Sequence, residues 1–163
     1  MKKILLLTMM TFIFSCSSIK KPSYIPLSEI DFADRLDDYL QLVIYYKAIN
    51  AGDIISYITE EEIKQSYDYK LVVSTSVLSK NLEILNKLNT LKLDKTTVTD
   101  TFLVKALVEI KDKNRVLATF AIARGKYEII NVNGVYYNHH IKPFFAILKK
   151  FVPVSAGRYF QVY

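Results

Sequence analysis

The chain has 163 residues, 51% of them hydrophobic and 23% charged, which excludes a wholly disordered chain and provides for one domain with a single core. Its 22 basic and 16 acidic residues give a net charge of +6, but the lysines are scattered without an arginine-rich run, so no nucleic-acid partner is expected. The single cysteine, Cys16, excludes an internal disulfide, and the fold must rest on its core.

Lys2 and Lys3 precede an apolar run, Ile4 to Phe14, which ends at Ser15-Cys16-Ser17-Ser18. A membrane-spanning helix needs about 20 apolar residues. This run is shorter and contains Thr8 and Thr11, so it fits the apolar core of a secretory signal. The order of basic start, short apolar run and cysteine resembles a bacterial lipoprotein signal. That resemblance implies that the Cys16 thiol takes a diacylglyceryl group, that residues 1–15 are removed, and that the new amino terminus receives a further acyl chain such as palmitate. It implies an exported protein held to a bacterial membrane, on the periplasmic face or the cell surface. Two or more acyl chains, at about 0.8 kcal/mol per buried methylene, make a stable anchor. Residues 16–27 then form the lipidated cysteine and its tether, with Lys20 and Lys21 beside the anchor where anionic headgroups attract them. Residues 28–163 form the domain.

Glycine and proline are scarce and punctuate the rest. Ser28 is a candidate N-cap with Glu29 and Asp31 in the first turn, and Leu36, Leu40, Val43 and Ile44 follow helical spacing, which predicts a helix over about 28–50. Gly52 and Asp53 predict its stop and the cap of a short second helix. Thr59 and Glu62 fit a capping box that opens a third helical piece carrying Ile63 and Tyr67. Val77, Leu78, Leu82, Leu85 and Leu88 predict a helix over about 76–91, although Val72 to Thr75 favour extended chain locally.

Beyond residue 97 the period changes to two. Val98, Phe102, Val104, Ala106, Val108 and Ile110 alternate with Thr99, Thr101, Lys105, Glu109 and Lys111, as in a half-buried strand. Turns at Asp112-Lys113-Asn114 and Arg124-Gly125-Lys126 predict returning strands over 115–123 and 127–133, an antiparallel meander. A short apolar helix over 141–151, with Ile141, Phe145 and Leu148 at core spacing, and an edge strand over 158–163 complete an α+β chain.

Two segments carry a further resemblance. Tyr45-Tyr46-Lys47-Ala48-Ile49-Asn50-Ala51-Gly52-Asp53, on the predicted long first helix, and Arg124-Gly125-Lys126-Tyr127-Glu128-Ile129-Ile130-Asn131-Val132 resemble the opening and the late hairpin of the nuclear-transport-factor-like superfamily. The resemblance implies amino-terminal helices packed on a curved antiparallel sheet, a cone with a pocket at its wide end; the carboxy-terminal 26 residues, with their short apolar helix, lie outside the usual pattern as an elaboration. It implies no single function. In the superfamily's ketosteroid-isomerase branch, a tyrosine at the position of Tyr45 donates to a developing oxyanion, and a general-base carboxylate lies beyond the second helix, near Asp68. Asp68 lacks the surrounding pattern, and an oxyanion donor without a positioned base does not abstract a proton. A tyrosine at this spacing more often fills core volume.

Other chemistry is thinner. Asp100 interrupts the alternating strand beside Val98 and Phe102, facing either a pocket or solvent at a strand bend. His139 and His140 are neighbours that point apart on extended chain, so no metal centre is expected from them. No nucleophile elbow or phosphate-cradling glycine loop is present, and no cofactor is expected. The aromatic tail, from Tyr136 and Tyr137 through Phe144, Phe145 and Phe151 to Tyr163, either fills the open end of the cone or forms an interaction surface. The expected function is therefore a non-enzymatic envelope lipoprotein acting as an interaction or assembly module. Its alternative is a pocket protein that binds, isomerises or dehydrates a small apolar ligand through Tyr45, Asp68 or Asp100.

Overall fold

The computed structural model describes residues 23–47, 59–97, 103–113, 115–123, 129–138 and 141–153. Cys16, Asp100, the His139–His140 pair, the stop at Gly52 and the edge strand over 158–163 lie outside them.

The first helix is much shorter than its spacing predicts. It is confined to α1, Phe32–Leu36, and is capped by Asp31 rather than Ser28, the Asp31 carboxylate accepting from the Ala33 and Asp34 amides at 3.0 and 3.3 Å. Tyr39 then turns the chain at φ 59°, and Gln41–Tyr46 is strand β1. Every β1 residue from Leu42 to Tyr46 is buried. A strand covered on both faces shows no two-residue alternation, so its apolar positions fit a helical period equally well.

Six more strands follow: β2 (Tyr69–Val73), β3 (Asp94–Lys95), β4 (Val104–Lys111), β5 (Val116–Ala123), β6 (Ile129–Val132) and β7 (Val135–Asn138). They form one seven-stranded antiparallel sheet in the order β2-β1-β4-β5-β6-β7-β3. The expected meander is β4–β5–β6. Asn133 and Gly134, at φ 54° and 84°, extend it by a two-residue hairpin into β7. An Asn-Gly pair with both φ positive matches the twist of the flanking strands.

Both faces of the sheet are covered. On the first, Leu42, Ile44, Val108, Ile110, Phe120 and Ile130 meet a helical layer. That layer gathers α1, α3 (Thr75–Ser79), α4 (Leu82–Asn86), a 3₁₀ turn at Lys87–Thr90 and α5 (Ile141–Lys149) from separate parts of the chain. The single helix expected over 76–91 is thus broken into three pieces, after β2 has absorbed Val72 and Val73. Among the described side chains of α5, Phe144, Ile147 and Leu148 are buried, followed by Phe151, at helical spacing.

On the second face α2 (Glu60–Ser66) lays Ile63 against Val43, Tyr45, Val104, Leu107 and Ala121. Its capping box is formed as expected: Thr59 Oγ1 accepts from the Glu62 amide at 3.2 Å, and Glu62 accepts from the Thr59 amide at 2.7 Å. A register shift between Val104 and Ala106 moves Val104 to the second face while Ala106 stays on the first.

Candidate functional site

A half-open cleft of about 710 Å³ lies where the beginning of the described chain meets the hairpin β6–β7. Its walls come from three segments. Ser23, Tyr24, Pro26, Leu27 and Ser28 form one; Leu88, Asn89, Leu91, Leu93 and Lys95 form the second; Val132, Asn133, Val135 and Tyr137 form the third. Leu27, Leu88 and Val132 are buried, Leu91, Leu93 and Tyr137 are half-buried, and Val135 is exposed, so the surface grades from apolar floor to open rim.

Asn133 builds the meeting point of these segments. Its left-handed backbone turns the hairpin, its Nδ2 donates to the Ile25 carbonyl at 3.1 Å, and its Oδ1 accepts from the Thr119 amide at 2.8 Å. The Ile25 amide in turn donates to the Leu117 carbonyl at 2.8 Å. Residues 23–26 are thereby held along the end of β5. Asn131 supports the turn by accepting from the Gly134 amide at 2.8 Å. In the second wall, Asn89 Nδ2 donates to the Ile30 carbonyl at 2.9 Å, while its Oδ1 is buried without a hydrogen-bond partner among the described residues. Lys95, paired with Tyr137 across β3 and β7, is the one charged side chain among the described lining residues.

A second polar group sits under α2. Glu109 is 3% exposed, with Lys64 Nζ at 2.8 Å and Lys111 Nζ at 3.5 Å. Its register partner on β5, Thr119, has a buried hydroxyl without a hydrogen-bond partner among the described residues. Burial pushes the Lys64 ammonium down, but the hydrogen bond and charge of Glu109 outweigh this and hold it above its ordinary value. Burial raises the Glu60 carboxyl; Lys64 pulls it down and Glu109 pushes it further up, and the balance is upward. Paired charges on a covered sheet face fix the position of α2.

The residues singled out for chemistry lie elsewhere. Tyr45 is 7% exposed among Val43, Ile63, Leu107 and Ala121, its ring 5.6 Å from that of Tyr67 and beneath the Lys70 ammonium at 5.1 Å. Asp68 is exposed and pairs with Lys47 at 3.3 Å. The structure brings both to the same end of the β1–β2 pair, yet neither lines the cleft. Lys95, Asn89 and Asn133 were not legible as site residues. Only Asn133-Gly134 carries a local signal, and that signal is for a hairpin. Among the described residues no group of three or more His, Cys, Asp or Glu is placed to hold a metal ion, and no helix is long and apolar enough to cross a membrane.

No family model matches the chain, no curated protein matches it, and no solved structure matches it.

Proposed function

We propose that the chain is a lipid-anchored protein of a bacterial envelope whose folded part is a non-enzymatic binding module. Support for the anchor comes from sequence: the Lys2-Lys3 start, the short apolar run and Cys16 followed by a polar, proline-containing tether. The binding reading is carried by the cleft, a graded apolar concavity whose first wall, Ser23 to Ser28, takes in the end of that tether. Its volume falls in the range of about 300–1,000 Å³ common to small-ligand sites.

The isomerase-like alternative has less support, because the Tyr45 ring is packed among aliphatics and Asp68 faces Lys47 at the surface. The narrower cone reading has one support, the two register shifts in β4, which bend a strand. One observation stands against it, the strand β1 where its long first helix would run. The proposed function does not depend on the cone. The test is Cys16→Ala. The native protein should carry an acylated amino-terminal cysteine by mass spectrometry and partition into detergent, and the variant should remain uncut and unacylated. A variant processed like the native chain would overturn the proposal.

A further inference from the structure

We infer that the cleft takes an acyl chain of an anionic phospholipid from the membrane that anchors the protein, with Lys95 at the headgroup. Three observations carry this. The floor is aliphatic, with Leu27, Leu88 and Val132 buried beneath half-buried Leu91 and Leu93, which suits a chain of methylenes. Lys95 stands in the wall as a cation and takes part in no ion pair among the described residues, so it complements a phosphate without a competing carboxylate. The third observation is reach. Ser23 follows Cys16 by only seven positions, and fully extended that stretch spans at most about 25 Å. The wall of the cleft starts at Ser23, so an anchored molecule keeps this site close to the headgroups, with Lys20 and Lys21 drawing the tether toward the same anionic surface.

The inference rests on the proposed anchor for the source of the lipid; the cleft chemistry itself is independent of it. The test uses the full-length protein extracted from membranes and placed with phosphatidylcholine vesicles containing phosphatidylglycerol that bears a photoreactive acyl chain. After illumination, adducts should map to residues 87–95 and 132–137. Lys95→Gln, at an exposed position, should lower labelling about fivefold, the effect of one lysine beside an anionic surface. Val135→Asp, at the exposed rim, should lower it as strongly while leaving the thermal unfolding midpoint close to that of the native protein. Adducts confined to residues 16–22, labelling unchanged in both variants, or a peptide cross-linked in the cleft in native membranes instead of lipid would overturn the inference. Mass spectrometry of the same sample reads the anchor separately. Cleft adducts on a chain without an acylated cysteine would sink the anchor and leave the lipid site standing, whereas an acylated chain without cleft adducts would do the reverse.

Discussion

The side-chain amide of Asn133 donates to the carbonyl of Ile25, 108 residues earlier, at 3.1 Å. The same amide accepts from the Thr119 N–H, so one side chain ties the first described segment to the middle of the sheet. Asn133→Gly keeps the backbone freedom that φ 54° requires but strands the Thr119 amide, a loss of about 1–3 kcal/mol. Asn133→Ala should lose about 1 kcal/mol more, from the left-handed backbone. Asn133→Asp still accepts from Thr119 but faces the Ile25 carbonyl with oxygen. It should therefore retain more stability than the glycine variant while exposing residues 23–26 to limited proteolysis. Urea unfolding and timed digestion check the two effects separately.

Lys64 and Glu109 should respond unequally to removal. Lys64→Met leaves a buried carboxylate with only Lys111 at 3.5 Å, and the expected loss is about 2–3 kcal/mol, below that of a fully orphaned charge. Glu109→Gln leaves an ammonium that is 31% exposed and can turn to water, with an expected loss of about 1 kcal/mol. The double variant should lose less than the two single losses added. A denaturant double-mutant cycle measures all three.

Acid should favour Glu60 as it stands. Its carboxyl is raised above the ordinary 4.5 mainly by burial, so just above that pH the native state binds more protons than the unfolded state. The associated stability is fully present below 4.5 and is lost as pH rises through the raised folded value. Relative to Glu60→Gln, which does not titrate, the native protein should gain stability as pH falls through this window and lose it on return to neutrality. Unfolding midpoints of the two proteins, compared across that range, give the sign directly.

The reciprocal cap of α2 predicts that Thr59→Ala loses about 1 kcal/mol, because the Glu62 amide is left without its acceptor. Glu62→Ala should lose less, since it frees an exposed Thr59 amide that water can serve. Urea unfolding of both variants tests the order.

The sequence reveals periods more readily than coverings. The β4–β5–β6 meander is legible because Val108 and Ile110 alternate with Glu109 and Lys111 and turn residues separate the strands. That alternation places Glu109 outward, which is correct, but not that α2 covers the outward face and buries it. Strand β1 is hidden for the related reason that both its faces are covered, so Leu42 to Tyr46 is one apolar run readable at either period. β7 carries its own signal in the Asn133-Gly134 hairpin pair, but Tyr136 and Tyr137 also open the aromatic tail, which masks the strand. The cleft is not legible in the sequence, since its three walls are separated by about 60 and 40 residues and meet through Asn133, the β3–β7 pairing and the helical layer.

β2 closes one end of the sheet order, and Val72 on it is 48% exposed. Among the described residues its outer edge pairs with no further strand, and a terminal strand of this kind is a template onto which another extended chain can add. Lys70, poised over the rings of Tyr45 and Tyr67, places a positive charge along this margin. Two copies brought edge to edge here would meet with like charge, which disfavours strand addition between them.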